Sequence, residues 1–127
     1  MNRIFSSLPN LRKFEVIAKF ALGTGVVSIS ILALSPVDAI IDRADGCFAH
    51  LLAFTYLAFV GLLAFPRVHW IWIAMSCVIL GAGIEIIQAT LVQGRTADPM
   101  DFASDVVATC VGLLGGGLAR RWANSRG

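Results

Sequence analysis

The sequence predicts an all-α fold, a four-helix transmembrane bundle with both termini cytoplasmic, and three observations carry that reading. Hydrophobic residues make up 57% of the 127 residues before the 12 glycines are counted, whereas ordinary globular chains reach roughly 45 to 50% with glycine included. Four apolar stretches are separated by proline, glycine and charged residues, and about 20 apolar residues are enough to cross a bilayer as a helix. The 10 Lys and Arg residues gather at the ends of those stretches. One domain of this kind uses nearly the whole length, so no soluble domain fits beside it.

Residues 1–15 form a basic leader with Arg3, Arg12 and Lys13, and a single membrane domain occupies residues 16–127. The first span covers residues 16–34 and ends at Ser35-Pro36, because the residue before a proline disfavours the helical region. The second covers residues 48–65 and stops at Pro66. Pro66-Arg67-Val68-His69 returns the chain as an antiparallel hairpin, with Trp70 and Trp72 where interfacial aromatics are found. The third span covers residues 70–92 and is closed by Gln93-Gly94-Arg95. Asp98-Pro99 then reads as an N-cap followed by proline at the first helical position, with Asp101 as the acid of the opening turn. The fourth span covers residues 102–119 and finishes in Arg120-Arg121.

A cytoplasmic N-terminus puts Arg3, Arg12, Lys13, Lys19, Arg67, Arg120, Arg121 and Arg126 inside and only Arg43 and Arg95 outside, as the positive-inside rule requires. The alternative reads the start as a cleaved signal peptide with an apolar core from Phe20 to Leu34 and a small-residue site near Ala39, leaving three spans. The length of the basic leader favours the span. A net charge of +2, spread over helix ends, excludes a nucleic-acid partner. Cys47, Cys77 and Cys110 form neither a disulfide framework nor a CxxC pair. Cys77 and Cys110 are expected to be small buried hydrophobes.

The polar residues converge on the outer half of the membrane. Glu85 stands seven residues before Val92, about 10 Å below the outer end of its helix. A carboxylate at that depth is costly and marks function or a polar partner. Gln88 and Arg95 continue its stripe, His50 lies just inside the outer end of the second span, and Asp101 and Asp105 are one turn apart at the start of the fourth. The predicted cluster is therefore His50, Glu85, Gln88, Arg95, Asp101 and Asp105. Each has a structural reading too: Asp101 as a capping acid, Arg95 as a snorkelling base, His50 as a packing histidine. Glu85 has the weakest such reading. Gly112 and Gly116, with Gly81, Gly83, Gly115 and Gly117, permit close helix approach within the bundle or between copies.

This set resembles the VanZ-like membrane proteins, a family named after a protein associated with resistance to the glycopeptide teicoplanin. His50 and Phe54 match its His and following aromatic, Glu85-Ile86-Ile87-Gln88 its Glu-x-x-Gln, Arg95 and Asp101 its spaced Arg and Asp, and Gly112 its helix glycine. The likeness runs from about Asp45 to Gly116. Asp105 stands where the family has Asn, and Asp45-Gly46 stands near the place of an Asp-Lys pair without the lysine. Both departures make the site more acidic.

The resemblance implies a multi-pass protein of the bacterial inner membrane, connected with the cell envelope and with glycopeptide or envelope-stress resistance. Its polar cluster would bind an amphiphilic or lipid-linked envelope component, with Gln88 orienting Glu85. Two alternatives stay open: a scaffold in a homo-oligomer or with an envelope protein partner, and a membrane-embedded enzyme using His50, Glu85 and Asp101 or Asp105 as acid-base groups or as ligands for Zn²⁺ or Mg²⁺. The chain has no Ser-centred nucleophile motif and no HExxH, which favours binding over catalysis. The residues name no cofactor.

Overall fold

The computed structural model describes residues 9–34, 43–91 and 99–125, with side chains over 12–34, 48–91 and 99–125. They form four α-helices: α1 (Pro9–Leu34), α2 (Arg43–Ala64), α3 (Trp70–Leu91) and α4 (Pro99–Ser125). There is no strand among the described residues. The predicted all-α bundle is therefore the fold.

The ends of these helices follow from local chemistry. α1 and α4 open on Pro9 and Pro99, and proline suits a first turn because its missing N–H would have had no intrahelical partner there. α1 closes at Leu34, two residues before Pro36. Between α2 and α3 the chain turns over Phe65 to His69, with Val68 N–H donating to Phe65 O at 3.1 Å. The His69 ring accepts from Ile71 N–H at 3.4 Å and so caps α3.

The helices differ from expectation at their other ends. α1 begins at Pro9, so residues 9–15 of the expected leader are helical. α4 continues through Arg120 and Arg121 to Ser125. There Arg120 reaches back to Leu62 O, and to Phe65 O at 3.0 Å, answering the open carbonyls at the end of α2.

Three helices are long and apolar enough to cross a membrane: Arg12–Leu34, Trp70–Leu91 and Pro99–Ser125. The apolar part of α2, Phe48–Ala64, is shorter. α2 is also the helix most enclosed by the others. Phe54, Leu57, Ala58, Leu62 and Ala64 are all buried along it. The outside of the bundle is apolar instead, with Phe20 75% and Leu91 77% exposed. In lipid that surface has no reason to hide, and packing rather than hydrophobic burial holds helices together.

The α2–α4 seam shows how. A Cβ on Gly112 would overlap Thr55 O and stand 2.8 Å from the Ala58 Cβ, and one on Gly116 would lie 3.0 Å from Leu62 Cδ1 and 3.2 Å from Phe59 O. These two glycines let α4 lie directly on the α2 backbone, as expected. Gly83 and Gly117 meet nothing within 4 Å, so they take no part in packing among the described residues. Cys77 is buried as expected, but Cys110 is exposed on the outer face of α4.

Contacts fix the directions. His50 with Asp105, Thr55 with Ala108 and Leu62 with Arg120 make α2 and α4 parallel. Tyr56 meets Ala21, with α1 antiparallel to α2, and Gln88 meets Ala33 near the ends of both helices, with α1 parallel to α3. The start of α1, the α2–α3 turn and the end of α4 share one end of the bundle, and His50, Glu85, Asp101 and Asp105 lie toward the other.

Candidate functional site

Three helices deliver polar side chains to that second end. α2 brings His50 about two turns after its start, α3 brings Glu85 and Gln88 in its last two turns, and α4 brings Asp101 and Asp105 in its first two. Because α3 runs against α2 and α4, late residues of one meet early residues of the others.

The central contact joins His50 Nδ1 to Asp105 Oδ1 at 2.9 Å. The His50 side chain is 13% exposed and that of Asp105 only 1%. An ionised carboxylate only accepts, so in this pairing Nδ1–H is the donor. The ring is held from a second side by Phe54, one turn along α2, which stacks with it at 6.3 Å between centroids and 13° between planes. Phe54 is itself buried, so the imidazole rests on a fixed platform.

Asp105 needs room, and Gly81 of α3 supplies it. A Cβ at Gly81 would come within 2.8 Å of Asp105 Oδ2 and 3.4 Å of Phe54 Cζ. Oδ2 is buried against this bare stretch of α3 with no hydrogen-bond partner among the described residues. Thr109 Oγ1 donates to Asp105 O at 2.7 Å one turn on.

The imidazole meets two further acids. A ring nitrogen of His50 and one carboxylate oxygen each from Glu85 and Asp101 lie within 4.8 Å of one another. Glu85 is buried, whereas His50 and Asp101 are half-buried. Three helices thus contribute one metal-ligating or proton-exchanging group apiece to a single point. Asp105 adds a fourth group behind His50.

Gln88 is buried one turn along α3 from Glu85, and its Nε2 donates to Ala33 O at 2.7 Å, which fastens α3 to the last turn of α1. Arg95 lies outside the described residues, as does the Asp45 side chain.

The Lys19 ammonium sits 5.4 Å from the centre of the Phe65 ring, and Arg120 holds the end of α2, both at the end opposite the cluster. His50, Glu85, Asp101 and Asp105 form a mainly acidic cluster whose groups can bind a cation, accept hydrogen bonds or exchange protons.

Two contributors escaped the sequence reading in their roles. Gly81 was grouped with general packing glycines, and only its register opposite Asp105 reveals it as the seat of a carboxylate. Arg120 reads as a membrane-end base, while its Nη2 caps a neighbouring helix. No protein-family model, curated protein or solved structure matches this chain.

Proposed function

We propose that this chain is a multi-pass protein of the bacterial inner membrane that binds the polar head of an amphiphilic or lipid-linked cell-envelope component. The observation that carries the reading is the convergence of His50, Glu85 and Asp101 from three different helices to within 4.8 Å. Ionisable groups inside a bundle are costly and are retained where they meet a substrate, ion or ligand. Helix locking alone would be served by Gln88 with Ala33 and by the Gly112 and Gly116 seam.

The apolar outer surface of the bundle suits an acyl or prenyl chain, and the polar cluster toward its end suits the attached head group. The distribution of basic residues supports placing that end on the extracytoplasmic side, with both termini cytoplasmic. The residue pattern shared with VanZ-like proteins supports the connection with the cell envelope and with glycopeptide or envelope-stress resistance. His50 and Arg95 would meet the polar head, and Glu85 and Asp101 would accept its hydrogen bonds.

The test is genetic. In a bacterial strain whose growth under cell-wall stress depends on this chain, Glu85→Gln, Arg95→Ala and Asp101→Asn should each abolish rescue while leaving membrane expression unchanged. Full rescue by all three variants would remove the cluster from the function.

A further inference from the structure

We infer that His50, Glu85 and Asp101 form a binding site for a single divalent transition-metal ion, with Asp105 as the residue that positions the histidine. This deepens the proposed function and rests on it only for the identity of the fourth ligand.

The geometry argues from donors outward. One imidazole nitrogen and two carboxylate oxygens within 4.8 Å of one another are close enough for a central ion to be about 2.0 to 2.2 Å from each after small side-chain adjustments. Nitrogen with oxygen donors suits a borderline ion such as Zn²⁺ better than Ca²⁺ or Mg²⁺, which prefer oxygen alone. Three protein ligands leave a position open, as in sites that hold water or a substrate group.

Asp105 supplies an observation independent of that triad. It accepts from Nδ1 at 2.9 Å while 1% exposed. A ligating histidine commonly gives its other ring N–H to a carboxylate, which fixes the tautomer and raises the basicity of the ligating nitrogen. Here Nδ1 is occupied, so Nε2 is the nitrogen left to ligate. Gly81 and Phe54 hold this arrangement from behind, one by leaving space for the Asp105 carboxylate and one by stacking on the ring.

Electrostatics favour a cation in the same place. Glu85 and Asp101 bring two partly desolvated carboxylates together, where like charges repel more strongly than in water. An ion between them turns that repulsion into attraction. Its open position would face the head group of the bound amphiphile, and a phosphate oxygen is a suitable fourth donor.

The experiment loads the full-length, detergent-purified chain with Zn²⁺, removes free metal, and measures bound zinc by plasma mass spectrometry. Circular dichroism and gel filtration on each sample report the fold. Wild type should retain one equivalent. His50→Ala, Glu85→Gln and Asp101→Asn should each lower retention at least tenfold, Asp105→Asn should weaken it without abolishing it, and Gly117→Ala should match wild type. Folded wild type without stoichiometric zinc would overturn the site, as would folded triad variants that all keep it. Native mass spectrometry of the same samples separates the two claims. A lipid-like mass that depends on Glu85 without any zinc would remove the metal and leave the binding function. Zinc without any co-purifying amphiphile would do the reverse.

Discussion

Asp105 of α4 accepts a hydrogen bond from His50 Nδ1 of α2 at 2.9 Å, with the acid almost wholly buried at 1% exposure. Fifty-five residues separate the pair, yet it lies at the meeting of the two most closely packed helices and fixes the face that His50 turns to Glu85 and Asp101. It makes the cluster a preorganised arrangement rather than a set of independent acids.

Removing Asp105 should therefore cost more than a charge. Asp105→Ala leaves a buried imidazole N–H without its acceptor, a penalty of about 1 to 3 kcal/mol, and His50→Ala leaves the carboxylate likewise. The double variant should be less damaging than the sum of the singles by about 0.5 to 3 kcal/mol. Thermal or denaturant unfolding in detergent of the four proteins measures that coupling, and additive effects would mean that the contact carries no energy.

The α2–α4 seam predicts a sharp contrast between glycines on one helix. At Gly112 the first atom a Cβ meets is the Thr55 carbonyl oxygen, part of a helix backbone that cannot step aside. Gly112→Ala should destabilise by about 1 to 3 kcal/mol through overpacking. Gly117→Ala, with open space around it, should be neutral or slightly stabilising because alanine is the better helix former. Equal melting temperatures for the two variants would contradict the seam.

Gly81→Ala should separate the site from the fold. The new methyl would lie 2.8 Å from Asp105 Oδ2, and the carboxylate must turn away, loosening its hold on His50. Ligand and metal binding should fall while helicity and gel-filtration behaviour remain those of wild type. Gly83→Ala, which meets nothing within 4 Å, is the matched control and should bind normally.

Arg120 predicts a capping role as well as an orienting charge. Its Nη2 donates to both Leu62 O and Phe65 O, the open carbonyls at the end of α2. Arg120→Ala should lower stability by about 1 to 3 kcal/mol, measured by thermal unfolding in detergent, and Arg120→Lys, whose ammonium can also donate to two carbonyls, should recover part of the loss. An Arg120→Ala variant as stable as wild type would reduce Arg120 to an orienting positive charge.

Much of this was legible from local rules. Helix ends at Leu34, Ala64 and Pro99 follow from nearby prolines, which act on their immediate neighbours wherever the chain goes. Glu85, Gln88, His50, Asp101 and Asp105 stood out because ionisable and amide groups are rare in apolar stretches, and Gly112 and Gly116 because small residues one turn apart mark a helix contact. What the sequence left hidden depends on register between helices. The pairing of Asp105 with His50, the carbonyl of Ala33 that Gln88 takes, the space at Gly81 and the reach of Arg120 all depend on which residues of separate helices lie level. Periodicity within one helix carries no such information. The exposure of Cys110 has the same origin, since an apolar helix in lipid gives little sequence contrast between its packed and exposed faces.

The proposed function requires that the cluster of His50, Glu85 and Asp101 holds a ligand. Native mass spectrometry of the detergent-purified chain can show that ligand, comparing wild type, Glu85→Gln and Gly117→Ala under identical extraction. A defined lipid-like adduct is expected on wild type and Gly117→Ala and is lost from folded Glu85→Gln. An adduct equally present on all three, or only a change of oligomer in Glu85→Gln with no adduct on any, would contradict it and leave the polar residues as links between helices.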